Sequence, residues 1–67
     1  MSPAEFRAAL DTLGWSARSL ARLLGRRPNT VIAWGHPARG GPPDDVAAWI
    51  GLWLDHLRQH PPPPTAR

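Results

Sequence analysis

Fifteen residues, LARLLGRRPNTVIAW from Leu20 to Trp34, hold the densest chemistry in the chain. Arg22, Arg26 and Arg27 are permanent cations whose planar donor forks match phosphate oxygens. Asn29 carries an amide that donates and accepts at once, the pattern that pairs with an adenine edge. Ile32 and Ala33 are apolar groups of the kind that pack on a thymine methyl. Around them the charge is one-sided. Between Thr12 and Pro43 lie Arg18, Arg22, Arg26, Arg27 and Arg39, and no acid. The remainder sets Arg7, Arg58 and Arg67 against Glu5, Asp11, Asp44, Asp45 and Asp55. A concentrated positive field points to an anionic partner, most simply a phosphate backbone. The alternative for a charge block by itself is a solvated surface.

Other chemistries lack their parts. The chain has no cysteine, which excludes disulfides and cysteine-ligated zinc. His56 and His60 are four apart, a spacing able to bind metal, but no further ligand accompanies them, and a polar helix surface is the simpler reading. There is no glycine-rich phosphate loop, no carboxylate pair in a plausible pocket and no cysteine–histidine pair. The expectation is a protein that is not an enzyme, with no catalytic residue, no metal, no cofactor and no small-molecule ligand.

A chain of 67 residues makes one domain at most. Domains this small bury only about 60% of their unfolded surface and are marginal alone. With disulfides excluded, a partner chain is the favoured support. No apolar run approaches the roughly 18 residues of a membrane span, and the N-terminus lacks the apolar core of a signal peptide. The expected location is the cytoplasm, on the nucleoid through DNA.

Four helices must position these groups, and no strand pattern is present. Ser2, Pro3 and Glu5 form an N-terminal capping box, and Phe6, Ala9, Leu10 and Leu13 repeat at helical spacing. Arg7 and Asp11 fall on the outside, and Gly14 ends the first helix. Ser16 caps a second, with Leu20, Leu23 and Leu24 on its apolar side and Ala21 leaving room for a close crossing. Gly25 stops it. Pro28 opens a third, with Arg27 as its N-cap. At 100° per residue, Val31 and Trp34 point one way, while Pro28, Asn29, Ile32 and Ala33 cover the other and Thr30 sits between. Residues 35–43 read as a loop. Pro43 opens a fourth helix, with Asp44 and Asp45 where the helix dipole favours acids. Its stripe of Val46, Trp49, Ile50, Trp53, Leu54 and Leu57 is wider than the about 100° that a core-facing helix needs.

Two short helices joined by a glycine turn make a helix-turn-helix. The stretch WSARSLARLLGRRPNTVIAW resembles the lambda-repressor/Cro-type family of small phage-type transcriptional regulators. The matching positions are Ser16, Leu20-Ala21, Leu24-Gly25, Thr30-Val31 and Trp34. The departures are Ala17 where many members carry glutamine, Arg26 where an apolar residue is usual, and Gly35-His36-Pro37 after the third helix. The family often has five helices where four are counted here. The resemblance implies an all-α, compact helix-turn-helix bundle that binds double-stranded DNA.

On that basis residues 1–60 form the DNA-binding domain, with a long apolar dimerisation helix at about 43–60, and residues 61–67 are a flexible Pro-rich tail. Base contacts are expected from Arg27, Pro28, Asn29, Ile32 and Ala33. Phosphate contacts, which set position rather than sequence, are expected from Ser16, Arg18, Arg22, Arg26, Thr30 and Arg39. Excess apolar surface on the last helix implies a homodimer through Trp49, Ile50, Trp53, Leu54 and Leu57. Such a dimer would set two recognition helices about 34 Å apart over a palindromic operator. The expected activity is transcriptional repression, including autorepression, by occupancy. The rival is an antitoxin- or inhibitor-like protein-interaction module that uses the same helices as a scaffold.

Overall fold

A computed structural model describes residues 1–63. Among them are four α-helices, α1 (Pro3–Leu13), α2 (Ala17–Leu24), α3 (Pro28–Trp34) and α4 (Asp44–Gln59), and no strand. The expected Pro-rich tail lies only partly within this range: Pro61 to Pro63 are exposed and irregular, and residues 64–67 are outside the described residues.

The helix boundaries follow local chemistry. The Ser2 hydroxyl accepts from the Glu5 backbone N–H at 3.1 Å, and the Glu5 carboxylate accepts from the Ser2 N–H at 2.9 Å. Two donors that the first turn would orphan are thereby satisfied. Ser16 repeats half of this device, accepting from the Ser19 N–H at 3.0 Å. At the end of α2, Gly25 takes φ 68°, a left-handed value that a β-carbon would strain. The turn lets the Arg26 N–H reach back to the Ala21 carbonyl at 2.9 Å. Arg27 is extended at φ −70°, ψ 140°, and Pro28 begins α3. Residues expected as plain loop contain a 3-10 turn, Pro37–Arg39, capped by His36 Nδ1 accepting from the Ala38 N–H at 3.2 Å. Pro43 caps α4 rather than opening its first turn. Gly41 follows the 3-10 turn at φ 89°, where a β-carbon would collide with the Met1 carbonyl, so this loop closes against the N-terminus.

The core takes residues from every helix: Phe6, Ala9 and Leu10; Leu20 and Ala21; Val31 and Trp34; Val46 and Ile50. Ala21 is fully buried, and its small side chain allows α3 to cross α2 closely. The edge of Phe6 meets Trp34, ring centroids 5.9 Å apart at 82°. Among the described residues no polar or charged one is buried.

Two apolar assignments change. Leu23, expected inside with Leu20 and Leu24, is 65% exposed. At 100° per residue it falls on the far edge of α2 from Ala21, beyond the reach of α3. Ile50, expected at a dimer interface, is 0% exposed. It belongs to the buried core cluster and cannot touch a second copy.

Glu5 is held below the ordinary carboxylate range, first by the Ser2 backbone N–H and then by the Ser2 hydroxyl. A depressed carboxylate contributes stability above its unfolded value and loses it as pH falls through its folded value. Acidification should therefore fray the first turn of α1 before the core opens, seen as early loss of amide protection at Glu5 and Phe6. Removing the other cap, Ser16→Ala, should cost about 1 kcal/mol and lower the thermal midpoint by about 4–8 °C.

Candidate nucleic-acid interface

The site is built on a seven-residue helix with two anchors. Val31 is 0% and Trp34 is 7% exposed. A helix this short has little stability of its own, since about 12–15 residues are needed in isolation. Its orientation is therefore imposed by those two side chains. The opposite face follows from the 3.6-residue period: Pro28, Asn29, Thr30 and Ile32 are exposed, and Ala33 is half-buried.

Ile32 does not stand alone. It borders an open groove with Phe6, Arg7 and Leu10 of α1, Ala17 at the start of α2, and the Gly35–Pro37 segment. The outward side of α3 and the N-terminus of α2 thus share one surface. Arg18 and Arg22 follow Ala17 around α2, on the edge away from Leu23. Arg27 stands at the start of α3. All are exposed. Among the described residues the single ion pair is Arg58 with Asp55, at 3.4 Å on α4. Among the described residues none of the arginines near α3 forms an ion pair.

Arg7 is a member of this surface that sequence reasoning placed elsewhere, as half of an outer pair with Asp11. That pair does not form. Arg7 instead lies across the end of α3: a β-carbon on Gly35 would stand 3.0 Å from its Cγ. The signal was present in Phe6. If Phe6 packs on Trp34, its neighbour must run beside the residues that follow Trp34. The glycine at 35, noted only as a departure from the family pattern, is what leaves space for the Arg7 stem.

Arg26 goes the other way. Its guanidinium carbon sits 5.5 Å from the Trp34 ring centroid. The same side chain borders a depression with Leu24, Asp45, Val46 and Trp49. Its apolar stem covers core and its charge remains in water, which explains an arginine where an apolar residue is usual. Arg26 is therefore the expected phosphate contact whose side chain is already engaged within the fold. The Ser16 hydroxyl is engaged as well, accepting from Ser19 N–H and donating to Ser19 Oγ at 2.9 Å. Thr30 is exposed beside Asn29, and Arg39 is exposed on the 3-10 turn.

The interface residues expected on α4 separate into two sets. Leu54 and Leu57 are half-buried and border a groove with Thr12 and Arg58, on the α1 side. Trp49, half-buried against the core, and Trp53, exposed, join Trp15, with ring centroids 5.8 to 6.1 Å apart. Leu52, absent from the expected set, is 67% exposed beside them. The His56 and His60 rings lie 4.8 Å apart, tilted by 37°. Among the described residues no group of three or more potential ligands could hold a metal ion.

An arginine placed over a tryptophan face at a partly exposed site contributes about 0.5–1 kcal/mol. Arg26→Gln should lower the unfolding free energy by about that amount, while Arg27→Gln, which touches no ring, leaves it within about 0.5 kcal/mol. Thermal melts of the two variants make the comparison.

No protein-family model, no curated protein and no solved structure matches this chain.

Proposed function

We propose that the protein is a sequence-specific, double-stranded DNA-binding transcriptional regulator of lambda-repressor-like architecture, acting as a homodimeric repressor without catalytic activity. The observation that carries this reading is the outward face of α3. Asn29 and Ile32 are exposed there, beside arginines that form no ion pair among the described residues.

A helix entering the major groove needs side chains directed at base edges and cations at the flanking phosphates. Asn29 in the first turn of α3 supplies the bidentate amide. Ile32 and Ala33 supply apolar contact to thymine methyls, so the bound sites are A·T-richer than chance. Arg27 and Pro28 stand where the helix meets the groove. Arg18 and Arg22, and Arg7 with them, serve as phosphate contacts, which set affinity and register. The helix reaches the bases because Val31 and Trp34 hold its other side inward. With no catalytic constellation, occupancy of an operator is the simplest mechanism: the bound protein excludes polymerase, at its own promoter among others. Work on DNA places the protein at the nucleoid.

The alternative is a protein-interaction module whose α2–α3 pair is only a scaffold. The exposed Trp53 and Leu52 on α4 favour a protein contact. An α3 face bearing acids would have favoured that reading throughout; the amide and arginines there favour DNA.

Selection of bound fragments from random duplex DNA is the direct test. The expected result is an A·T-enriched palindromic motif, and recovery of random sequence overturns the reading. On the selected operator, Asn29→Ala should cost about 1–3 kcal/mol and flatten preference at one position per half-site. Arg18→Ala or Arg22→Ala should weaken binding to every sequence alike. Each should also reduce the salt dependence by about 0.9 in the logarithmic slope.

A further inference from the structure

Half of α4 faces away from the core; one edge of that outer half bears Asp55 and Arg58, and the other is apolar. Trp49, Leu52, Trp53 and His56 surround a shallow apolar depression. Their spacing is i, i+3, i+4 and i+7. On one helix these four residues form the hole that receives a single side chain from a facing helix. A free side chain of the right kind protrudes at the same spot, since Leu52 is 67% and Trp53 43% exposed. Hole and knob therefore lie at one level of one helix.

We infer that the occupant is α4 of a second copy, packed antiparallel about a twofold axis beside Leu52 and Trp53. The inference deepens the homodimer included in the proposed function and rests on that reading for its purpose, but its geometry comes from α4 alone. A twofold axis at this level sets Leu52 of each copy into the other's hole, so one rotation satisfies both. It also sets Trp49 opposite His56 of the other copy, aromatic on aromatic. Such self-complementarity is what an isologous interface requires. Charge selects the direction. Asp45 lies on the same edge of α4, one turn before Trp49. A parallel pair would bring the two Asp45 carboxylates together. The antiparallel pair sets each opposite His60 and opposes the two helix dipoles. Trp15 backs Trp49 and Trp53 from beneath, so the hole is walled by rings that the fold already holds.

This interface replaces the expected one in part. Ile50 is in the core, and Leu54 and Leu57 face α1; Leu52 and His56 take their places beside Trp49 and Trp53. The area is modest. A standard interface covers about 800 Å² on each partner, and a three-turn helix seam falls below that. Association is expected in the micromolar range, about −8 kcal/mol being the corresponding free energy.

Sedimentation equilibrium of the full chain tests the assignment. The wild type should be dimeric at about 100 μM and dissociate on dilution. Leu52→Glu should weaken association at least thirtyfold, roughly the effect of a hot-spot residue. Its circular dichroism should be unchanged, because Leu52 makes no part of the core. Arg58→Glu, on the other edge of α4, should leave association intact. A monomeric wild type at that concentration, or a Leu52→Glu dimer as tight as wild type, overturns the interface. The chain has no cysteine, so mixed Asp45→Cys and His60→Cys chains report direction. Cross-linking between the two variants supports the antiparallel pair; preferential cross-linking of each to itself overturns it. DNA binding is scored separately. A Leu52→Glu monomer that still binds a half-site with the wild-type salt slope supports both proposals. A dimeric wild type that ignores DNA refutes the DNA reading alone, and a monomeric wild type that binds it refutes the interface alone.

Discussion

The seating of Trp34 is the contact on which the other features depend. Seven residues of helix have no orientation of their own. The direction of α3 comes from Val31 and Trp34, both inside, and chiefly from Trp34, which Phe6 and Arg26 both contact. Phe6 meets one side of it edge-on. The Arg26 guanidinium lies over the ring. Just past it, Gly35 leaves room for the Arg7 stem. Each neighbour has a consequence for the surface. The Phe6 contact brings α1, and with it Arg7, to the side where Ile32 is exposed. The Arg26 contact removes one cation from that side and directs it toward α4.

The remaining surface is divided by helical geometry. On α2, Leu20 and Ala21 are inside, leaving two exposed edges. One bears Arg18 and Arg22; the other bears Ser19 and Leu23 and borders Trp15. On α4, Val46 and Ile50 are inside, while Trp49 and Trp53 turn toward Trp15. The molecule therefore has a cationic side organised around α3 and an aromatic side organised around α4. They meet at Arg26, beside both Trp34 and Asp45. A substitution on one side therefore leaves the other unchanged.

Much of this was legible in the sequence wherever local rules decide. Capping by Ser2 and Ser16, the glycine turns at 14 and 25, the start of α3 at Pro28 and the inward pair Val31 and Trp34 are settled within one or two turns of chain. The outward exposure of Asn29 and Ile32 follows from the same period. What was not legible depended on which helix meets which. Leu23 looks internal on α2 considered alone, and is exposed because no neighbouring helix reaches that edge. The stripe on α4 reads as one surface, yet α1 covers Leu54 and Leu57, the core takes Ile50, and Leu52 outside the stripe is bare. Arg7 was missed for the same reason: its position depends on α1 crossing the end of α3, a contact made between residues 28 positions apart. The short 3-10 turn at Pro37 escaped because a proline-glycine segment signals only that regular helix stops.

The central claim is that the outer face of α3, and not α4, meets duplex DNA. The most direct measurement is an amide NMR titration of the protein with a short A·T-rich duplex. The account predicts the largest shifts at Asn29, Thr30, Ile32 and Ala33, with Arg7, Ala17 and Arg18 following and the amides of Leu52 to His56 undisturbed. Shifts confined to α4, or none at all at low salt, would contradict it.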